Sequence, residues 1–143
     1  MANKFNFGGI DGKAKQAMKE TIVIIANNAK NHYVRSFKKG GFTDDTFNAW
    51  KPRKSKTNNT GRAILVKSGD LRRSIIDRIN LGQLKVVFQS DLPYAAIHNY
   101  GLMGKAWGKY PFKMPQRQFI GKSGQVDKMA IKTLENKIDS LFR

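Results

Sequence analysis

The stretch Tyr94-Ala95-Ala96-Ile97-His98-Asn99-Tyr100-Gly101 predicts a short helix around which the rest of the chain is organised. A turn-forming run, residues 91–93, precedes it, and Gly101 can end it by adopting a left-handed backbone conformation. We expect both tyrosines and Ile97 to pack inward. We expect His98 to pin the helix through the tyrosine four residues earlier, and Gly101 to release a mobile arm.

A second block, Met114-Pro115-Gln116-Arg117-Gln118-Phe119-Ile120-Gly121, is predicted to return as an extended segment. Pro115 favours a sheet edge or a kink over a central strand. Phe119 is expected to anchor the segment. Arg117 lies on the same extended face and either pairs with an acidic residue of a neighbouring subunit or forms a structural pair within the chain. Residues 102–112, between the two blocks, are interpreted as a mobile loop because they are too many for a simple connection.

Two long helices are predicted to flank a small sheet. The first begins at Asp11 and ends at Gly40-Gly41, and the second is capped by Ser123. Each carries apolar residues every three or four positions, as an amphipathic helix does. Residues 75–80 and 84–90 are rich in β-branched and apolar side chains and predict a hairpin. The result is an α+β fold in one domain, 1–143, with a small antiparallel or mixed sheet packed against both helices.

Three other segments are interpreted by their composition. Residues 1–10 lack a clear period and predict a flexible arm. Residues 51–63 are polar and basic and predict a mobile loop, which is either a solvated surface loop or a limb that contacts DNA phosphates or an acidic ring. Between them and the central helix, Ser68, Gly69 and Leu71 predict a capped turn that sets strand register. The candidate interface residues outside the Met114–Gly121 block are Arg53, Lys54, Lys56, Arg62, Lys105, Trp107 and Lys109.

Composition narrows the class of protein and of partner. The 143 residues contain 27 lysines and arginines against 10 acidic residues, a formal charge of +17. Such a charge attracts nucleic acid, acidic protein surfaces or anionic membranes, and it opposes self-association unless an interface neutralises it. Hydrophobic residues make up 40% of the chain, enough for one folded core. No apolar run is long enough to span a bilayer, so we expect a protein that is cytosolic when made and has no membrane partner.

The sequence favours a protein without enzymatic activity. There is no cysteine and there are only two histidines, so metal or cofactor binding is not expected. His98 is the obvious catalytic candidate, but no residue pattern supplies the orienting partner and pocket that a general base needs. The acidic residues show no paired or metal-binding spacing.

Four blocks of this chain, in order, resemble the phage virion morphogenesis family, the tail-completion proteins of Mu-like tailed phages. The blocks are Trp50-Lys51-Pro52, Ser68-Gly69-Asp70-Leu71-Arg72-Arg73-Ser74-Ile75, Tyr94 to Gly101, and Met114 to Gly121. The resemblance implies a non-enzymatic virion protein that acts at the neck, the head-proximal end of the tail, as a ring that lets the finished tail join the head. Its implied partners are further copies of itself and other neck, connector and tail-tube proteins, with possible non-specific contacts to DNA phosphates, after assembly in the host cytoplasm.

Two other functions remain open from the residues alone. The first is a small basic nucleic-acid-binding protein, in which Trp50, Trp107 and Tyr110 would stack on bases between lysines that contact phosphate. The second is a toxin-like ribonuclease with His98 and Arg117 as catalytic residues. The chain has no recognition-helix or RNA-binding sheet motif, which argues against the first.

Overall fold

A computed structural model describes residues 8–54 and 62–143, and confirms the α+β class. Its elements, in chain order, are α1 Gly8–Lys39, β1 Gly41–Thr43, β2 Phe47–Ala49, α2 Asp70–Arg73, β3 Ile76–Asn80, β4 Lys85–Gln89, α3 Ala95–Tyr100, β5 Met103–Ala106, β6 Tyr110–Lys113 and α4 Gly124–Phe142. The long N-terminal helix, the C-terminal helix and the β3–β4 hairpin were all expected.

The strands do not form one sheet. In the described residues they pair as three separate antiparallel hairpins, β1–β2, β3–β4 and β5–β6. Each strand has only three to five residues, so each hairpin exposes little edge to pair with another. Helix α1 contacts β1, β3 and β4 directly. The helix, rather than strand pairing, therefore joins the first two hairpins.

Helix α1 begins earlier than the sequence indicates. It starts at Gly8, so residues 8–10 of the predicted arm are helical, and residues 1–7 lie outside the described part. Asp11 is not the N-cap. It lies in the first turn, where its charge suits the helix dipole, and its carboxylate is 3.0 Å from Lys15 Nζ. The predicted end is confirmed, since Gly40 has a φ of 69° and its N–H donates to Ser36 O at 2.9 Å.

The core lies along the C-terminal half of α1. Phe37 is fully buried there, with ring centroids 5.5 Å from Trp50 and 5.2 Å from Phe119. Ile75, directly before β3, is equally buried, and Tyr33 packs edge-on against Phe88 of β4. Aromatic side chains from four separate segments thus converge on one helix face, and their burial stabilises the fold by about 2 kcal/mol each.

Helix α4 runs along α1 in the opposite direction, from His32 near the start of α4 to Glu20 near its end. Ser123 caps it as predicted, because its Oγ accepts a hydrogen bond from Val126 N at 3.3 Å. Asp44 adds a second cap by accepting from Gly124 N at 2.6 Å. At the far end Lys137 Nζ is 2.9 Å from Glu20 on α1. None of the residues of α4 is fully buried, so the helix rests on the surface of the molecule.

Helix α3 orients its side chains differently from the prediction. Tyr94 and Tyr100 are 41% and 64% exposed, so the expected inward packing of both tyrosines is wrong. Ala95 and Asn99, four residues apart, are the buried pair, and Ile97 is half buried. A helix of six residues presents only one i, i+4 face to the core, and here that face carries the small and amidic side chains.

Asn99 fixes the Met114–Gly121 block to α3. Its Oδ1 accepts hydrogen bonds from the backbone N–H of Phe119 at 2.8 Å and of Ile120 at 3.0 Å. Its Nδ2 donates to Ile120 O at 3.0 Å. Because the segment around Phe119 belongs to no strand, this one side chain supplies the hydrogen bonds that a sheet partner would otherwise provide.

Residues 102–112 form the β5–β6 hairpin and are not a loop. Gly101 ends α3 with φ and ψ of 65° and 46°, as predicted, and Leu102 N then donates to Ile97 O at 3.1 Å. The strands pair from Met103 with Lys113 to Ala106 with Tyr110. Positive φ angles at Trp107 and Gly108 make the tight turn. Gly108 lies in the turn, Lys105 and Lys109 face solvent, and Gly104 is a half-buried position of β5 beneath the ring of Phe112.

Replacing Asn99 with alanine is expected to lower the free energy of unfolding by about 3 kcal/mol, because three backbone groups lose their partners in a buried site. Urea unfolding followed by circular dichroism measures this. Asn48→Ala is the matched control, since the exposed Asn48 makes a single hydrogen bond, to Thr46 O at 3.3 Å. A loss at Asn99 no larger than at Asn48 would contradict the role of Asn99.

Candidate functional site: an aromatic hairpin and a basic cavity

The β5–β6 hairpin carries an exposed aromatic and basic surface, which we call the hairpin surface: Met103, Lys105, Trp107, Lys109 and Tyr110. Trp107 is 90% exposed at the tip, and its ring lies edge-on to that of Tyr110 at 6.4 Å. Tyr110 and Met103 are also largely exposed. No ion pair in the described residues involves Lys105 or Lys109.

A fully exposed tryptophan has a physical cost, since its ring stays in contact with water. Tryptophan, tyrosine and methionine are enriched in protein interfaces, and tryptophan and tyrosine are also frequent among the residues that contribute most to binding. Met103 and Tyr110 lie on the hydrogen-bonded strand pair and Trp107 lies in the tight turn that joins the strands, so the hairpin fixes where these side chains are presented. The predicted interface residues Trp107, Lys105 and Lys109 therefore lie together on one element.

A cavity of about 430 Å³ lies where three of the sequence blocks meet. We call it the basic cavity. One part of its wall is apolar and the other is polar and mainly cationic. The lining residues are Arg53, Ile64, Leu65, Lys67, Ser68, Gly69, Asp70, Leu71, Tyr94, His98, Met114 and Arg117.

Arg117 is a structural residue of this cavity. Its side chain is only 7% exposed, and its Nε and Nη2 donate to Lys51 O at 3.1 and 2.9 Å. Burial, and then the nearby Arg53, lower the pKa of its guanidinium. Phe119, the other candidate of this segment, lies in the core. Neither side chain therefore reaches the outer surface in this structure, which favours the structural alternative for Arg117 over an exposed interface.

His98 contacts Tyr94 through its ring and not through a hydrogen bond. The ring centroids are 6.2 Å apart and the ring planes are nearly perpendicular, so the contact is edge-on and not stacked. Nδ1 is buried without a hydrogen-bond partner in the described residues. Burial, with a smaller contribution from Arg117, lowers the pKa of the imidazole. No carboxylate hydrogen-bonds this ring in the described part of the chain, so it lacks the orienting group of a general base.

The turn before α2 differs in detail from the capped turn that was predicted. Gly69, with a φ of 78°, occupies the N-cap position and no side chain caps the helix. Ser68 instead hydrogen-bonds the carboxylate of Asp70, which also pairs with Arg73 at 2.6 Å. These two bonds, Ser68 first, lower the pKa of Asp70. Leu71 is buried in the core, so the turn still fixes where β3 starts.

The basic loop is anchored at its base. Arg53 donates to the carbonyls of Ala63, at 3.1 Å, and of Arg62, at 3.4 Å, so its side chain joins the two ends of the loop. Lys54 and the side chain of Arg62 are exposed. Lys56 lies outside the described residues.

A second cationic surface, missed by sequence reasoning, is a groove of about 380 Å³ between α1 and α4. Arg35 and Lys39 line one side and Lys128 and Lys132 the other, each pair four residues apart on its helix. Lys128 pairs with Asp45 at 3.0 Å. His32 lies in the groove with Nε2 2.9 Å from Thr43 O, and its pKa is lowered mainly by burial. The i, i+4 basic pairs were the signal in the sequence.

Metal binding and membrane insertion find no support in the described residues. No three histidine or acidic side chains are grouped there as metal ligands would be. None of the helices described has both the length and the apolar content that crossing a bilayer requires.

The sequence model of the phage virion morphogenesis family matches residues 13–139. The chain belongs to this family. Membership means a virion-associated protein with a structural or assembly role in a phage, in a family of structural rather than enzymatic character. Searches of curated proteins and of solved structures gave no significant match.

The sequence blocks that resembled the phage virion morphogenesis family contact one another in the fold. Trp50 of the first block donates from Nε1 to Gln118 O of the last at 2.8 Å. Asn99 of the third block binds the backbone of Phe119 and Ile120, also in the last. The residues of these blocks therefore hold the fold together. The exposed hairpin surface lies between the third and fourth blocks and belongs to neither.

Replacing Arg117 with alanine is expected to lower the free energy of unfolding by about 2 kcal/mol, because Lys51 O loses two charge-assisted hydrogen bonds. Arg117→Lys should recover only part of this, since an ammonium cannot donate in the same forked geometry. Chemical denaturation of the three proteins measures both effects. Arg78→Ala, on an exposed position of β3, is the control. Equal stability of the Arg117→Ala and Arg78→Ala proteins would show that Arg117 is not structural.

The two histidines should make stability depend on pH. Each has a folded-state pKa below its ordinary value of 6.5, so each binds protons more weakly in the folded than in the unfolded protein. Stability is then complete above pH 6.5 and is lost as pH falls from there through the folded pKa values. Asp70 and Asp77 also have lowered pKa values, but they change the stability only below pH 3.8, the ordinary pKa of aspartate.

The measurement is the free energy of unfolding at intervals between pH 4.5 and 8, about the range in which histidine titrates. His98→Gln and His32→Gln should each remove part of the slope below pH 6.5, and the double variant should remove most of it. An unchanged slope in the double variant would assign the pH dependence to other groups.

Proposed function

We propose that this member of the family completes the phage tail and enables it to join the head, acting as a ring of copies at the neck. The observation that carries the proposal is the hairpin surface, where Trp107 is 90% exposed between two lysines without ion pairs in the described structure. An aromatic anchor with a cationic rim suits a partner surface that has an apolar pocket and acidic surroundings.

The charge of the chain supports assembly that depends on a partner. Copies of a +17 protein repel one another in solution, and contact with acidic connector or tail-tube proteins would neutralise that repulsion. A closed ring made of identical heterologous contacts then becomes favourable at the tail end and not before. In this proposal the protein is made and assembled in the host cytoplasm and remains in the virion neck.

Contact with DNA is a secondary part of the proposal. The groove between α1 and α4 offers two facing pairs of cations, and its Arg35, Lys39 and Lys132 have no ion pair in the described residues. Such a surface suits phosphates without reading sequence. The same groove is the observation that favours the alternative of a basic nucleic-acid-binding protein.

Replacing Trp107 with alanine is expected to leave folding unchanged, because the ring contacts little of its own chain, and to lower the yield of joined particles about a hundredfold, as loss of an interface anchor does. The variant is supplied in trans to a phage that lacks the gene. Infectious titre and electron microscopy of free heads and free tails are the measurements.

Leu81→Ala is the matched control, since Leu81 is an exposed apolar residue at the turn of another hairpin, β3–β4. It should support normal titres. Normal titres from Trp107→Ala as well would remove the hairpin surface from the joining reaction. Accumulation of unjoined heads and tails is the result that the proposal requires.

A further inference from the structure

The basic cavity holds a buried positive charge without a counter-ion in the described part of the chain. Arg117 is 7% exposed and takes part in no ion pair there, and both of its described hydrogen bonds go to one neutral carbonyl, Lys51 O. Buried guanidinium groups are normally paired with a carboxylate or phosphate, because a charge removed from water is costly. Binding of an anion beside Arg117 would therefore be favourable.

The cavity cannot supply that anion itself. Among the described residues that line it, Asp70 is the only acidic one. Its carboxylate is held by Arg73, at 2.6 Å, and by Ser68. The other charged groups of the lining, Arg53 and Lys67, are cationic. The local potential is positive, and a ligand must bring the negative charge.

His98 also lines this cavity. Its Nδ1 is buried and has no hydrogen-bond partner in the described residues. A buried polar atom of this kind is stabilised once a ligand supplies the missing bond. In the tautomer with the proton on Nδ1, the ring can donate to an anion while remaining neutral.

The remaining wall is apolar, which narrows the chemistry of the ligand. Ile64, Leu65, Leu71 and Met114 line it. A volume of about 430 Å³ accommodates one or two side chains but not a helix, whose diameter is about 10 Å. A nucleic-acid backbone would leave the apolar wall without a partner. An acidic side chain next to an aliphatic one matches both halves.

We propose that the basic cavity binds an extended segment of a partner protein in which an acidic residue adjoins an aliphatic one. The carboxylate faces Arg117 and His98, and the aliphatic side chain packs on Leu65, Leu71 and Met114. A second copy of this chain is a poor donor, because five of its ten acidic residues are already in ion pairs and its net charge is +17. The proposal concerns this cavity alone and does not depend on a position at the neck.

The test is a titration of the full chain with three short peptides, followed by NMR of the His98 ring nitrogens and the Arg117 Nε–H. The first peptide is N-acetyl-Gly-Leu-Glu-Gly-amide. The second replaces its glutamate with glutamine, and the third replaces its leucine with serine. We expect the first peptide to shift both signals and to bind about tenfold more tightly than either of the others. The second peptide loses one charge-assisted hydrogen bond, and the third loses one buried aliphatic group.

Two variants separate the cavity from the overall charge. Lys67→Glu places a carboxylate at the cavity lining, and Lys85→Glu makes the same change at an exposed position of β4 that does not line the cavity. Both lower the formal charge equally. Lys67→Glu should weaken binding of the first peptide about tenfold, and Lys85→Glu by less than about twofold.

Three results would overturn the proposal: equal binding of the glutamate and glutamine peptides, equal weakening by the two variants, or binding without a shift at His98 and Arg117. The first comparison uses the unaltered protein, so it stands even where a variant fails to fold. Phage assembly is not part of the readout, so this result and that of the Trp107→Ala experiment are independent.

Discussion

A single buried amide, that of Asn99, makes three of the hydrogen bonds that hold the segment around Phe119 against α3. The segment around Phe119 has no strand partner in the described structure, and without Asn99 its backbone N–H groups would be buried and unpaired. By holding that segment, Asn99 places Phe119 against Phe37 and brings Gln118 O to Trp50. Arg117 belongs to the same segment. Its side chain donates to Lys51 O and forms one side of the basic cavity. The same segment thus contributes Phe119 to the core and Arg117 to the cavity.

The residues that hold the fold together differ from those of the exposed hairpin surface. The family's sequence blocks supply buried residues such as Trp50, Leu71 and Phe119 and are joined by hydrogen bonds between side chains and backbone. The hairpin surface extends from this scaffold immediately after α3 and is fixed by the Gly101 turn and the strand pairing that follows. A rigid scaffold with a presented aromatic element suits a protein whose role is structural, since the energy of assembly then comes from contacts and not from chemistry.

Much of the fold follows from local sequence patterns. The period of α1, the Ser123 cap, the glycine ends of α1 and α3 and the β3–β4 hairpin are local signals, and the structure confirms them. The errors concern properties set by tertiary contact. Which face of a six-residue helix is buried depends on what lies opposite, so Asn99 was missed and the tyrosines misplaced. Residues 102–112 were interpreted as a loop because they are too many for a simple connection. The hairpin turn was missed, since it places Trp107 at a positive φ that a bulky side chain seldom adopts. The basic cavity draws its lining from residues 53 to 117 and has no sequence pattern of its own.

The surface position of α4 has a consequence for the motions of the molecule. The helix has no fully buried residue, and the hydrogen bonds and ion pairs described between it and the body involve only its two ends and Lys128. Apolar side chains such as Ile131 and Phe142 already face water, and Val126 and Leu134 are only half buried, so detachment of the helix exposes less apolar area than opening of the core would. Such an element opens at a lower free energy than the core, as a separate cooperative unit. Its amide protons should therefore exchange with solvent sooner than those of α1, and the face of α1 beneath it can be exposed while the rest of the protein stays folded.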